Sequence, residues 1–152
     1  MPTLRRATVD DASLITQHRH LMFADNDFTT EERLNEMDHA FEPWVRAALA
    51  DGTYVGLFLE EDSRVLSGGG VYLMPFPPHW MHDEPFRAYL LNFYTAPEAR
   101  GRGLAKQILQ AAVDAAHELG ASVITLHASR FGQPIYEKFG FKHSVEMMLR
   151  KQ

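Results

Sequence analysis

The segment from Ala88 to Leu119 limits the fold more than any other part of the chain. Ala88–Thr95 is an apolar, aromatic run that reads as a strand, and Pro97 lies just beyond its end. Apolar residues then return at Leu104, Ile108, Ala111, Ala112, Ala115 and Leu119, three or four apart, as on one face of a helix. A helix predicted over Arg100–Leu119, closed by Gly120, therefore opens on Arg100, Gly101, Arg102 and Gly103. The start of a helix leaves several N–H groups without partners, and its dipole favours an anion there. Glycines let an anion approach the backbone and arginines add charge, so the turn has the makings of a phosphate site. The same residues also fit a solvated, arginine-rich helix start.

Known phosphate motifs narrow the choice. A dinucleotide fingerprint needs a third glycine where Lys106 stands, and the mononucleotide loop with its Gly-Lys-Ser/Thr ending is missing. What remains is Arg-x-x-Gly-x-Ala, from Arg100 through Ala105.

The rest of the chain reads as one α/β unit. Leu4–Val9 is a short strand. Asp10 or Asp11 caps a helix that runs to about Phe23, with Leu14, Ile15, His18, Leu21 and Met22 at helical spacing. Thr29 and Glu32 form a capping-box pair ahead of a second helix carrying Leu34, Met37 and Phe41; Pro43 is expected to break or kink it, with a last piece over Trp44–Ala50. Two strands follow, Tyr54–Leu59 and Val65–Leu73. Ser67-Gly68-Gly69-Gly70 reads either as a loop or as a strand interior closely approached by other chain, and the lack of a following helix argues for the strand. After a proline-rich loop over 74–87 come the strand and helix already described, a strand over Ala121–Ala128, a short helix around Pro134–Phe139 and a final strand over Phe141–Leu149. No linker or repeat divides the 152 residues, so a single domain over 1–152 is expected.

Composition excludes several chemistries. There is no cysteine, hence no disulfide, no thiolate metal site and no acyl-cysteine intermediate. The net charge of −5 argues against general nucleic-acid binding, and no apolar run approaches the ~20 residues of a membrane span. The opening residues carry no signal-peptide pattern, so a soluble cytoplasmic protein is expected. Among eight histidines, His18 and His20 are two apart on a helix and cannot share a site, while His79, His82, Asp83 and Glu84 lie in a loop without a second ligand set. No metal is expected.

The order strand, P-E-A-R-G-R-G-L-A, helix, strand, short helix, Y-E-K-F-G-F resembles the GCN5-related N-acetyltransferase (GNAT) family over the whole chain. That resemblance implies an α/β (α+β) fold, with a mixed, largely antiparallel central sheet flanked by helices. It implies acetyl-coenzyme A as cosubstrate, its pyrophosphate on Arg100, Gly101, Arg102, Gly103, Leu104 and Ala105. The pantetheine arm would lie along Phe93, Tyr94 and Thr95, on a strand that splays from its neighbour. Where many members carry an asparagine on that arm, this chain has Ser129. Tyr136 matches the family's late tyrosine and would act as general acid towards the leaving thiolate. His127 is a weaker candidate for the base, and Glu98 reads as a helix-start carboxylate.

The resemblance implies an N-acetyltransferase acting by direct attack of a small-molecule or peptide amine, with a homodimer possible. The acidic residues Asp25, Asp27, Glu31 and Glu32 would border the acceptor, or would simply be solvated charges. Two rivals remain: a non-catalytic acyl-coenzyme-A sensor, and nucleic-acid binding through Arg100 and Arg102.

Overall fold

The computed structural model describes residues 1–151; Gln152, at the end of the expected 1–152 domain, lies outside them. Five strands form one sheet in sequence order: β1 (Thr3–Arg6), β2 (Tyr54–Glu61), β3 (Arg64–Pro75), β4 (Phe86–Thr95) and β5 (Ile124–Leu126). The first four pair antiparallel and β5 joins β4 in parallel. This is the mixed, largely antiparallel sheet that the resemblance implies.

Helices cover both faces because both faces of the central strands are apolar. The buried stripe of α3 (Leu104–Glu118), with Ile108, Leu109 and Ala112, packs on Leu57, Leu59, Val71 and Leu90. On the other face α1 (Ala12–Asp25) and α2 (Glu31–Asp51) bring Ile15, Phe41 and Val45 against Tyr54 and Phe58.

The glycine run is the interior of β3, and each glycine makes room for a neighbour. A Cβ on Gly68 would meet Phe58 at 2.8 Å, one on Gly69 would meet Ile108 at 2.8 Å, and one on Gly70 would stand 2.0 Å from the Tyr54 hydroxyl. The strand is glycine-rich because large side chains from both layers cross it.

Several local expectations are corrected. The second helix is capped by Thr30, whose hydroxyl accepts from the Arg33 amide at 3.2 Å, rather than by Thr29. Pro43 does not interrupt that helix. It sits on the exposed face, so the carbonyl it deprives of a partner, that of exposed His39, faces water, while Phe41, Val45 and Ala48 hold the opposite face in the core. The third helix begins at Leu104, not Arg100: a 3-10 turn at Pro97–Ala99 and left-handed glycines at 101 (φ 81°) and 103 (φ 78°) lengthen the turn before it. The strand expected over Ala121–Ala128 shortens to Ile124–Leu126, and α4 covers Gln133–Phe139.

The strand expected over Phe141–Leu149 has no pairing in the single chain, and Val145, Met147 and Leu149 are almost fully exposed. Strand structure needs a partner edge, and this segment meets none within its own chain.

Gly70→Ala should destabilise the domain by about 1–3 kcal/mol in urea unfolding, because the added methyl displaces the Tyr54 ring from its seat on β3. Wild-type stability would show that Tyr54 can move aside at no cost.

Candidate functional site

The site is organised by an irregularity in β4. Tyr94 faces Gly68 and Leu91 faces Gly70, so Asn92 and Phe93 together oppose Gly69. Asn92 takes up the extra residue in a left-handed conformation, φ 62°. Its buried side chain is held at both ends: Nδ2 donates to the Tyr54 hydroxyl at 2.9 Å, and Oδ1 accepts from Arg19 Nη1 at 2.9 Å. Pairing with β5 covers only Ala88, Tyr89 and Leu90. From Leu91 to Thr95 the side of β4 turned away from β3 has no strand beside it, the splay the sequence reading anticipated.

A cleft of about 630 Å³ opens at this splay. Phe93, Tyr94 and Thr95 form one wall. The turn and first helical residues Arg100, Gly101, Gly103, Leu104 and Ala105 form its floor, and Ser129 and Tyr136 close the far side. Ten of the eleven site residues anticipated from the sequence thus share one cavity. The exception is Arg102, whose guanidinium reaches back to Glu61 at 3.3 Å.

The floor is electropositive by construction. Gly103 caps α3 with no side-chain acceptor, and Gln107 is the first residue whose amide bonds back, to the Gly103 carbonyl at 3.2 Å. The amides of the first turn are left for another acceptor. A Cβ built on Gly101 or Gly103 meets nothing within 4 Å. Glycine is needed there for its positive φ, and the space above is open. Arg100 is tethered by Nε donation to the Thr95 carbonyl at 3.0 Å and pairs with Asp25 at 2.9 Å.

Tyr136 packs edge-on against Phe93, with ring centroids 6.3 Å apart, and against Phe141. Burial raises the pKa of its phenol above the ordinary tyrosine value. The Ser129 hydroxyl accepts from the Gly132 amide at 3.1 Å, which leaves its own proton free to donate.

The match to known proteins follows this geometry. The profile described as the acetyltransferase (GNAT) family aligns with residues 18–141. The chain belongs to the GNAT family. Among solved structures it is similar to a GCN5-related N-acetyltransferase from Ralstonia eutropha JMP134, at 32% identity over 99% of both chains with a TM-score of 0.95. It is also similar to a predicted acetyltransferase from Clostridium acetobutylicum solved with acetyl-CoA, at 27% identity, 99% and 96% coverage and a TM-score of 0.90. Among curated proteins it resembles the uncharacterized N-acetyltransferase YjgM of Escherichia coli K12, at 25% identity over 93% of this chain and 83% of that one.

Within this GNAT chain the cleft also holds Ser67, Lys106, Phe131, Ile135, Lys138 and Phe139, which sequence reasoning passed over. Lys106 and Lys138 were legible as cations within a turn of the two motifs. Asn92, a polar residue inside an apolar strand, was the signal for the bulge.

The remaining candidates are engaged elsewhere. The His127 Nδ1 lies 2.7 Å from the Tyr89 hydroxyl. Glu98 pairs with Arg64, and Glu31 with His20 at 2.7 Å. His79 and His82 exchange backbone hydrogen bonds, and both ring nitrogens of His82 contact neighbouring residues, the Glu84 carbonyl and Arg87 Nε. Among the described residues no cluster of three or more His, Cys, Asp or Glu could hold a metal. Among the same residues no helix is long and apolar enough to cross a membrane. His18, buried against Phe58 and Tyr94, has its pKa pushed down to about 4 by burial and stays neutral at physiological pH.

Proposed function

We propose that this GNAT protein is an acetyl-coenzyme-A-dependent N-acetyltransferase acting as one domain over 1–152. The observation that carries the reading is a single cleft joining an uncapped helix start, an unpaired strand edge and a half-buried phenol. A cytoplasmic setting is part of the same reading.

Pyrophosphate would be held by the first-turn amides of α3 and by Arg100, with Gly101, Gly103, Leu104 and Ala105 giving close approach. Arg102 contributes long-range charge from outside the cleft. The edge of β4 at Phe93, Tyr94 and Thr95 would take the pantetheine arm as an added strand, and Ser129 would donate its free hydroxyl proton to it. An amide of this edge would polarise the thioester carbonyl. In the cysteine-free chain the acceptor amine of a small molecule or peptide attacks that carbonyl directly. The N–C bond forms, the C–S bond breaks and the amine sheds a proton to water. Tyr136, a phenol protonated at neutral pH and with its pKa raised further by burial, gives its proton to the departing thiolate and regains one from solvent.

A homodimer fits the same reading. Among the described residues the outer edge of β5 has no strand beside it, and the unpaired segment 141–151 carries exposed Val145, Met147 and Leu149 at alternate positions. Both halves of a strand pairing are thus present on one chain but not satisfied within it, and a second copy supplies each with its complement. Sedimentation at micromolar concentration should give a dimer, converted to monomer when residues 142–152 are removed. A monomeric full-length chain would overturn this part of the reading.

Two variants test the chemistry. Ala105→Glu places a carboxylate in the first turn of α3, where the dipole favours it, so thermal stability should hold or rise. Coenzyme affinity in calorimetry should drop at least 100-fold; unchanged affinity would remove the helix start from the site. Tyr136→Phe deletes a hydroxyl without a partner among the described residues. Acetyl transfer should slow about 10²–10⁴-fold with coenzyme affinity preserved. A wild-type rate would take Tyr136 out of the mechanism, and coenzyme binding without transfer to any amine by the wild type would favour a sensor.

A further inference from the structure

Arg19, on α1, is a half-buried cation with no carboxylate partner among the described residues. Its guanidinium lies between the rings of Phe23 and Phe41, 4.9 Å and 4.8 Å from their centroids. Of its five N–H donors, one is used, in the bond from Nη1 to Asn92. Nε is buried and has no partner among the described residues. A fully buried arginine is almost never left unpaired; Arg87, half-buried over Phe76 with Nε donating to His82, also has no carboxylate among the described residues. Arg5, less buried, has two, Asp11 and Glu60. Among the described residues no carboxylate pairs with Arg19.

Its surroundings are arranged to keep it this way. The guanidinium carbon lies over both phenyl rings, which present no hydrogen-bond acceptor of their own to its N–H groups. Asn92 is neutral and already tied to Tyr54. The position matters as much as the partners. Asn92 is the bulge residue of β4, and it directly precedes Phe93–Thr95, where the proposed function holds the thioester. Arg19 does not itself line the cleft, but its bond to Asn92 sets its guanidinium beside the residue that adjoins Phe93.

We propose that Arg19 binds a carboxylate on the acceptor, so that the amine acetylated belongs to an amino acid or a similar small molecule bearing both groups. This rests on the acetyltransferase reading above. The unused in-plane donors of the guanidinium match the two oxygens of a carboxylate, a pairing that lysine cannot reproduce. An acceptor without that anion leaves the cation unpaired, and discrimination follows from that penalty.

The test compares matched pairs: each common amino acid beside the amine left by removing its carboxylate, with acetyl-coenzyme A as donor. Wild-type enzyme should acetylate at least one amino acid with kcat/KM 100-fold or more above its decarboxylated partner. In Arg19→Met, which keeps a long side chain between the two rings, that ratio should collapse towards one through a rise in KM for the amino acid, and Arg19→Lys should recover only part of it. Coenzyme affinity and melting temperature, measured on the same samples, should match wild type in Arg19→Lys. Amines acetylated as well as amino acids, a preference that survives Arg19→Met, or no amino acid acetylated at all would each overturn the assignment. Failure of wild type to bind acetyl-coenzyme A would instead count against the acetyltransferase reading itself, so the two failures are distinguishable.

Discussion

The bulge at Asn92 is the constraint from which the rest of the site follows. A left-handed conformation at a residue with a side chain costs of order 1 kcal/mol, so it persists only where neighbours hold it. Here the hold comes from the two bonds of the Asn92 amide, to Tyr54 on β2 and Arg19 on α1. One extra residue also changes which side chains face which layer: Leu90 and Phe93 pack towards α3, while Leu91 joins the α1–α2 side. Bulges increase local twist, and β4 parts from β5 just there, after Leu90. A single unpaired register step therefore opens the cleft, aims Phe93 at Tyr136 and brings Arg19 to the strand edge.

The glycines of β3 belong to the same construction. The Tyr54 hydroxyl can reach Asn92 only because Gly70 leaves it a seat, and Phe93 can fold over β3 only because Gly69 has no side chain; a Cβ there would stand 2.9 Å from the Phe93 ring. Three glycines that look like flexibility in the sequence act in the structure as space for the groups that fix the bulge.

Much of this was legible and some was not, for identifiable reasons. The sheet, the helices and the turn from Arg100 to Ala105 follow from hydrophobic period and from motifs whose chemistry is local. The start of α3 was misplaced because helical spacing of apolar residues cannot see two glycines with positive φ, and Pro43 was misjudged because its cost depends on which face of the helix it occupies. The segment 141–149 has the alternation of a strand, but alternation does not supply a partner. Arg19 was invisible for a different reason. It is one charge on an amphipathic helix, and what sets it apart is an absence of carboxylates contributed by distant parts of the chain.

The charges of the cleft divide into fixed and exchangeable ones. The amides at the start of α3 are fixed by the backbone and keep their orientation whatever binds. Arg100 is exchangeable: its pair with Asp25 is about half exposed on both sides, at 50% and 46%, and such pairs contribute little, roughly 0–1 kcal/mol. A phosphate can take the place of Asp25 at small cost, while the Nε bond to the Thr95 carbonyl keeps the side chain at the cleft. Arg102 is held by Glu61, which also pairs with the amino terminus, so its charge stays behind the turn. Arg19 belongs to neither group. It has no acid to exchange and its buried Nε has no partner among the described residues, whereas the unpaired Lys106 and Lys138 of the cleft are exposed to water. Selectivity for an acceptor is therefore expected to reside at Arg19, with Asp25 released to the acceptor side when a phosphate takes its place on Arg100.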